Sequence, residues 1–259
     1  MEYKVIALNK NGTIDTIIES ISEEEYAVIR NNIHKLQTFM LSKDYYYIVK
    51  ENIQDLLNFM KKFNPMDNKN KEHNFATINR YTYNVIGVFY AWISYYEKNY
   101  KDVFSKIKKK YYDSFFEYRM MYNLRTYMSH CEMAVTEMEV LFDTRELFIY
   151  IEPTRLLNNS DHLQKIFIPE LKKMIEDNKK IDLYELMTKF STMFSEMNQG
   201  LLNEIHPEIQ KIIKGVCAHI RFEGETAQQC IIVDKETDKN VLYLTSFMGM
   251  FEHKMFNPY

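Results

Sequence analysis

A chain of 259 residues with 46% hydrophobic and 27% charged residues has the composition of a folded protein with a substantial core, which excludes a disordered or fibrous chain. Six glycines and five prolines are too few for a many-stranded β architecture or long flexible linkers, so helices are favoured. With 33 basic against 36 acidic side chains the net charge is −3, so any nucleic-acid contact must be local rather than a coat over a polycationic surface.

Tyr3 to Leu8 and Thr13 to Ile18 are short β-prone runs on either side of Asn-Lys-Asn-Gly. Asn11-Gly12 supplies the positive φ angles of a tight turn, so a small N-terminal hairpin is predicted. Ser22 and Glu25 then form an S-x-x-E capping box, and Tyr26, Ile29, Ile33, Leu36 and Met40 recur at helical spacing behind it. A second helix is expected from about Lys43 to Phe63, with Ile48, Ile53, Leu56, Leu57 and Met60 inward, ending before Asn64-Pro65. The polar stretch Met66 to Asn74 reads as a loop.

Phe75 to Tyr96 is the most apolar helix, and its all-round hydrophobicity predicts burial among neighbours. Its densest run, Tyr83 to Tyr96, is about 14 residues long and falls short of the ~20 that cross a bilayer, so no membrane span is expected. A pair of helical segments covers about Tyr100 to Cys131. Past His130 the pattern turns to alternation, predicting strands at Ala134 to Phe142 and Glu146 to Glu152 around Asp143-Thr144-Arg145. Helical periodicity resumes at His162 to Asp177 and Leu183 to Ile213, before Gln228 to Val233 and Val241 to Ser246 form a closing hairpin. The apolar, aromatic end Ser246 to Tyr259 is expected to dock on the body or on a partner.

The fold class that follows is mainly α: a helical bundle with short β-hairpins at the N-terminus, after the central helix and near the C-terminus. Residues 1–259 are expected to form a single mainly helical domain, with a helical core at about 22–131 and an α/β accessory half at 132–259. Cys131, Cys217 and Cys230 are odd in number and widely spaced, without a CxxC pair, which fits free thiols in a reducing cytosol. Met1 to Leu8 has no basic stretch leading into an apolar core, so the expectation is a cytoplasmic chain.

Placed on a helix at about 100° per residue, Tyr112 to Cys131 sorts into two faces. Met120, Met121, Leu124, Tyr127, Met128 and Cys131 fall on one; Arg119, Tyr122, Asn123, Arg125, Thr126, Ser129 and His130 fall on the other. Arg125 and His130 lie about 140° apart, at opposite edges of the polar face. Arg119 is nearer His130 in angle and is a candidate second cation for an anion bound there. A second copy packed across this face would gather two arginines and two histidines in one cleft. Against this stands a plain solvated face, or pairing of its cations with carboxylates such as Glu117 or Glu132.

The stretch Asn123-Leu124-Arg125-Thr126-Tyr127-Met128-Ser129-His130 resembles the R-x4-6-H motif of the HEPN superfamily, helical bundle domains that include metal-independent ribonucleases of bacterial defence and toxin systems. The likeness covers about Asn123 to His130, and the polar residue after the arginine, most often Asn in that family, is here Thr126. The resemblance implies a HEPN-like core at about 22–131 and a homodimer that cuts RNA without metal or cofactor. Arg125 would polarise the scissile phosphate, and His130 would move protons to or from the ribose 2′-hydroxyl and the leaving oxygen. Histidine suits the task because it titrates near neutrality, and a helix C-terminus favours a cation. Asn123, Thr126 and Ser129 would support the pair, and a neutralising or sensor protein would be a natural partner.

Lys106, Lys108, Lys109 and Lys110, interleaved with Phe104, Tyr111 and Tyr112, can track an RNA backbone while the aromatics stack on bases, or can simply form a solvated face. The remaining histidines form no H-E-x-x-H unit, so no metal site is expected; no P-loop, G-x-S-x-G or G-x-G-x-x-G occurs. Two functions follow: a metal-independent endoribonuclease, or a catalytically inactive helical module that grips RNA, a nucleotide or a partner protein.

Overall fold

The computed structural model describes residues 2–8, 14–62, 71–135, 137–141, 146–220, 222–223, 226–227, 229–234 and 240–244. The expected turns at Asn11-Gly12 and Asp143 to Arg145, most of the loop from Met66, and the end from Ser246 to Tyr259 lie outside these residues. The fold is mainly α-helical with short antiparallel hairpins. The chain divides into two compact units, Met1–Lys43 with Ile205–Tyr259, and Asp44–Glu204. Both divisions fall inside long helices, α1 (Glu23–Lys62) and α7 (Leu183–Cys217).

In the first unit, β1 (Glu2–Leu8) and β2 (Ile14–Ser22) form the expected N-terminal hairpin. The chain's other end contributes β6 (Phe222–Glu223), β7 (Thr226–Ala227), β8 (Gln229–Asp234) and β9 (Asn240–Tyr243). The two predicted hairpins are one sheet, in the order β2-β1-β8-β9, with Val5 opposite Ile232 and Ile6 opposite Ile231. Val5, Ile6 and Ala7 are therefore buried in succession, as a central strand covered on both faces requires. Tyr3 stacks on Tyr26 of α1 with ring centroids 4.1 Å apart, while Ile6, Ile231 and Val233 cluster on the opposite face. The capping box closes as predicted: the Ser22 backbone N–H donates to Glu25 Oε2 at 2.7 Å, and the Glu25 N–H donates to Ser22 Oγ at 3.2 Å.

The predicted break between two helices near Lys43 does not occur: α1 runs 40 residues without interruption. No glycine or proline lies between Phe39 and Asp44, and the buried Ser42 donates its hydroxyl to the Phe39 carbonyl at 2.6 Å, so this buried hydroxyl is satisfied within the helix. Unbroken phase also turns Ile48 outward, 41% exposed, and puts Val49 in the core beside Ile53, Leu56 and Met60.

The second unit is built on α2 (Lys71–Asn99), α3 (Lys101–Ser114), α4 (Phe116–His130) and the first part of α7. Phe89 and Trp92 of α2 meet Phe190 and Phe194 of α7 at ring separations of 4.9 Å, and Tyr118 of α4 meets Phe89 edge-on at 5.7 Å. Lys50 of α1, its pKa lowered by burial, donates to Ser191 Oγ at 2.7 Å and Ser195 Oγ at 3.0 Å on α7. Burial of α2 is not all-round as predicted. Tyr83, 49% exposed, forms an outer face with Asn84 and Gly87.

After α4 come β3 (Glu137–Leu141) and β4 (Glu146–Ile151), the predicted central hairpin, widened to three strands by β5 (Ile181–Asp182). Between β4 and β5 lie α5 (Pro153–Asn158), a 3-10 turn at Ser160–His162 and α6 (Ile168–Glu176). Among the described residues, no helix is long and apolar enough to cross a membrane.

Candidate functional site

The apolar positions of α4 anchor it, with Tyr118, Met120, Met121, Leu124, Tyr127 and Met128 all buried. The opposite side carries the exposed Arg125, Ser129 and His130, with Thr126 and Tyr122 half-buried. Asn123 departs from the predicted polar face, being only 2% exposed. Its Oδ1 accepts the backbone N–H of Gln164 at 2.7 Å, and its Nδ2 donates to the Arg119 carbonyl at 2.7 Å. A buried amide with donor and acceptor both satisfied is a structural tie.

Arg119 is likewise committed to the scaffold rather than offered to a ligand. Its guanidinium forks onto Glu170 of α6, with Nη2 at 2.8 Å and Nε at 3.2 Å, while Nη1 donates to the Tyr112 carbonyl at 2.5 Å. The partner is Glu170 rather than the nearer-in-sequence Glu117 or Glu132. Tyr112 closes the cluster by donating its hydroxyl to Gln164 Oε1. These contacts bind α3, α4 and the 160–170 segment into one block.

Arg125 and His130 leave the helix toward different neighbours. The Arg125 guanidinium carbon stands 3.1 Å from the centroid of the Tyr90 ring of α2, a stacked cation–π contact. A guanidinium lying on a ring keeps its in-plane N–H donors available at the edge. The His130 ring stacks on His162 of the 3-10 turn, with centroids 5.1 Å apart and planes inclined by 12°. Among the described residues, neither Arg125 nor His130 has a carboxylate partner within ion-pair distance. Ser129 donates its hydroxyl to the Arg125 carbonyl at 2.8 Å.

Glu132 accepts the Tyr127 hydroxyl at 2.6 Å and bridges to Arg155 at 3.4 Å. Burial, then the Glu132 contact, pushes the Tyr127 phenol far above its ordinary range. Burial, then the charge of Glu132, also raises the Cys131 thiol, which disfavours a reactive thiolate. Among the described residues no three His, Cys, Asp or Glu side chains gather as metal ligands.

A groove of about 440 Å³ follows α3, lined by Lys101, Lys108, Lys109 and Tyr112 with Glu97 and Asp113. Lys108 is bound to Glu97 at 2.6 Å and lies over the Tyr122 ring. Lys106, Lys109 and Lys110 are exposed, Lys110 lying over the Tyr111 ring, while Lys108 and Lys109 line the groove.

His162 and Tyr90 are the residues that sequence reasoning passed over. His162 is 32 positions from His130 in a segment with no motif, and Tyr90 sits within the most apolar helix. No family model, curated protein or solved structure matches this chain.

Proposed function

We propose that this chain is a metal-independent endoribonuclease of a bacterial defence or toxin system, with Arg125 holding the scissile phosphate and His130 transferring a proton. The observation that carries this reading is the exposed pair on α4: a guanidinium stacked on Tyr90 and an imidazole at the helix's negative end, neither paired with a carboxylate among the described residues. A histidine supplies proton transfer near neutral pH, and a fixed arginine supplies charge stabilisation for phosphoryl oxygens, so no metal is required.

Because Arg125 and His130 are directed apart within one chain, the reading includes a homodimer in which Arg125 of one copy lies beside His130 of the other. Light scattering tests this part, since a strict monomer contradicts a shared cleft. Incubating the protein with mixed RNA in excess EDTA, beside Arg125→Ala and His130→Ala, tests the chemistry. Cleavage by the parent alone is expected; cleavage retained in both variants, or cleavage that requires metal, contradicts the reading.

A second reading, a helical module that grips RNA, a nucleotide or a partner without cutting, is favoured by the commitment of Arg119, Asn123 and Ser129 to structural hydrogen bonds. It predicts that parent and variants are equally inert toward RNA.

A further inference from the structure

We infer that His162 is the second proton-transfer group of this site, taking the 2′-hydroxyl proton of a single-stranded RNA phosphodiester while His130 protonates the leaving 5′-oxygen. The inference rests on the ribonuclease reading and supplies what that reading lacks. Transesterification at a ribose needs one group to accept a proton and another to donate one, whereas within one chain the Arg125–His130 pair offers a single imidazole.

The two rings are held together by built features. His162 closes a 3-10 turn whose next residue, Leu163, is buried, and whose following backbone N–H, at Gln164, is fixed by Asn123 Oδ1 at 2.7 Å. Tyr112 grips the Gln164 side chain as well. Phe167, fully buried, rests against Phe116 at the start of α4. Asn123 is thus a positioning residue, tying the segment that carries His162 to the helix that carries His130. Both imidazoles are exposed and stacked 5.1 Å apart. The charged groups on the adjoining stretches are Glu132 and Glu152, which both pair with Arg155, and the exposed Asp161 and Lys165.

The assignment of roles follows from position. His130 ends α4, on the helix that carries Arg125, and is assigned the acid's role. His162 lies beyond that helix end and acts as the base. In the step, the 2′-O–H proton passes to His162 as the 2′-oxygen bonds to phosphorus. The bond from phosphorus to the 5′-oxygen breaks, and that oxygen receives the proton held by His130. The products are a 2′,3′-cyclic phosphate and a 5′-hydroxyl, and both imidazoles recover their starting states by exchange with water.

The test compares the parent, His130→Gln and His162→Gln on an oligoribonucleotide and on a uridine 3′-aryl phosphodiester, whose leaving group needs no acid, with circular dichroism confirming that each variant is folded. His162→Gln is expected to lose about 100-fold or more in kcat on both substrates and to lose the acidic limb of the pH profile. His130→Gln is expected to lose a similar factor on RNA and only a few-fold on the aryl ester. Parent-like rates and an unchanged two-limbed profile in His162→Gln overturn the inference and leave the ribonuclease reading standing. An inert parent overturns both.

Discussion

A residue's partners decide whether it can meet a ligand, and on α4 they separate side chains that share one face of the helical wheel. Arg119 and Asn123 are bound to Glu170 and Gln164, while Arg125 and His130 rest on rings and are exposed. Asn123→Ala leaves the part-buried Gln164 N–H without its acceptor and is expected to cost about 1 kcal/mol in denaturant unfolding. The same variant should slow RNA cleavage by loosening His162. At Tyr118 the sign reverses. Its hydroxyl is buried without a hydrogen-bond partner among the described residues, and burial drives its pKa far upward. Tyr118→Phe removes a desolvated polar atom and keeps the ring against Phe89, so stability should be unchanged or higher by about 1 kcal/mol; a clear loss would reveal an acceptor at that hydroxyl.

Among elements, the start of α1 is the one whose stability depends on pH in a readable way. The Ser22 backbone N–H, followed by its hydroxyl, holds the Glu25 carboxyl below its ordinary range. A folded pKa below the unfolded one contributes stability that is present above the unfolded pKa and is lost as pH falls through the folded pKa. Glu25→Gln should therefore lower Tm near neutral pH and flatten its fall between about pH 5 and about pH 3; a parallel drop at both ends would mean that the cap carries no carboxylate component. The capping box, both terminal hairpins and the α3–α4 pair were legible in the sequence because each depends on residues within a few positions of one another. The continuity of α1 was not, because a polar Ser42-Lys43-Asp44 looks like a boundary until the Ser42 hydroxyl is seen bonded to its own helix.

At the scale of the molecule, the strands from the two ends of the chain close one sheet, and no local pattern reveals that β1 pairs with β8 some 225 residues away. Removing residues 1–22 should unpair β8, expose Ile231 and Val233, and produce dye binding and aggregation; a soluble truncate with parent-like Tm would contradict the central place of β1. The candidate site was legible only in part for the same reason. Arg125 and His130 stand in one motif, whereas His162 reaches His130 through a turn that tertiary contacts hold in place.

The chemistry of the cut ends tests the central claim most directly. RNA incubated with the protein in excess EDTA, then analysed for terminal groups, should carry 2′,3′-cyclic phosphates and 5′-hydroxyls, with none formed by His130→Ala. Ends bearing 5′-phosphate and 3′-hydroxyl, or cyclic phosphates formed equally by His130→Ala, would contradict proton transfer by this histidine.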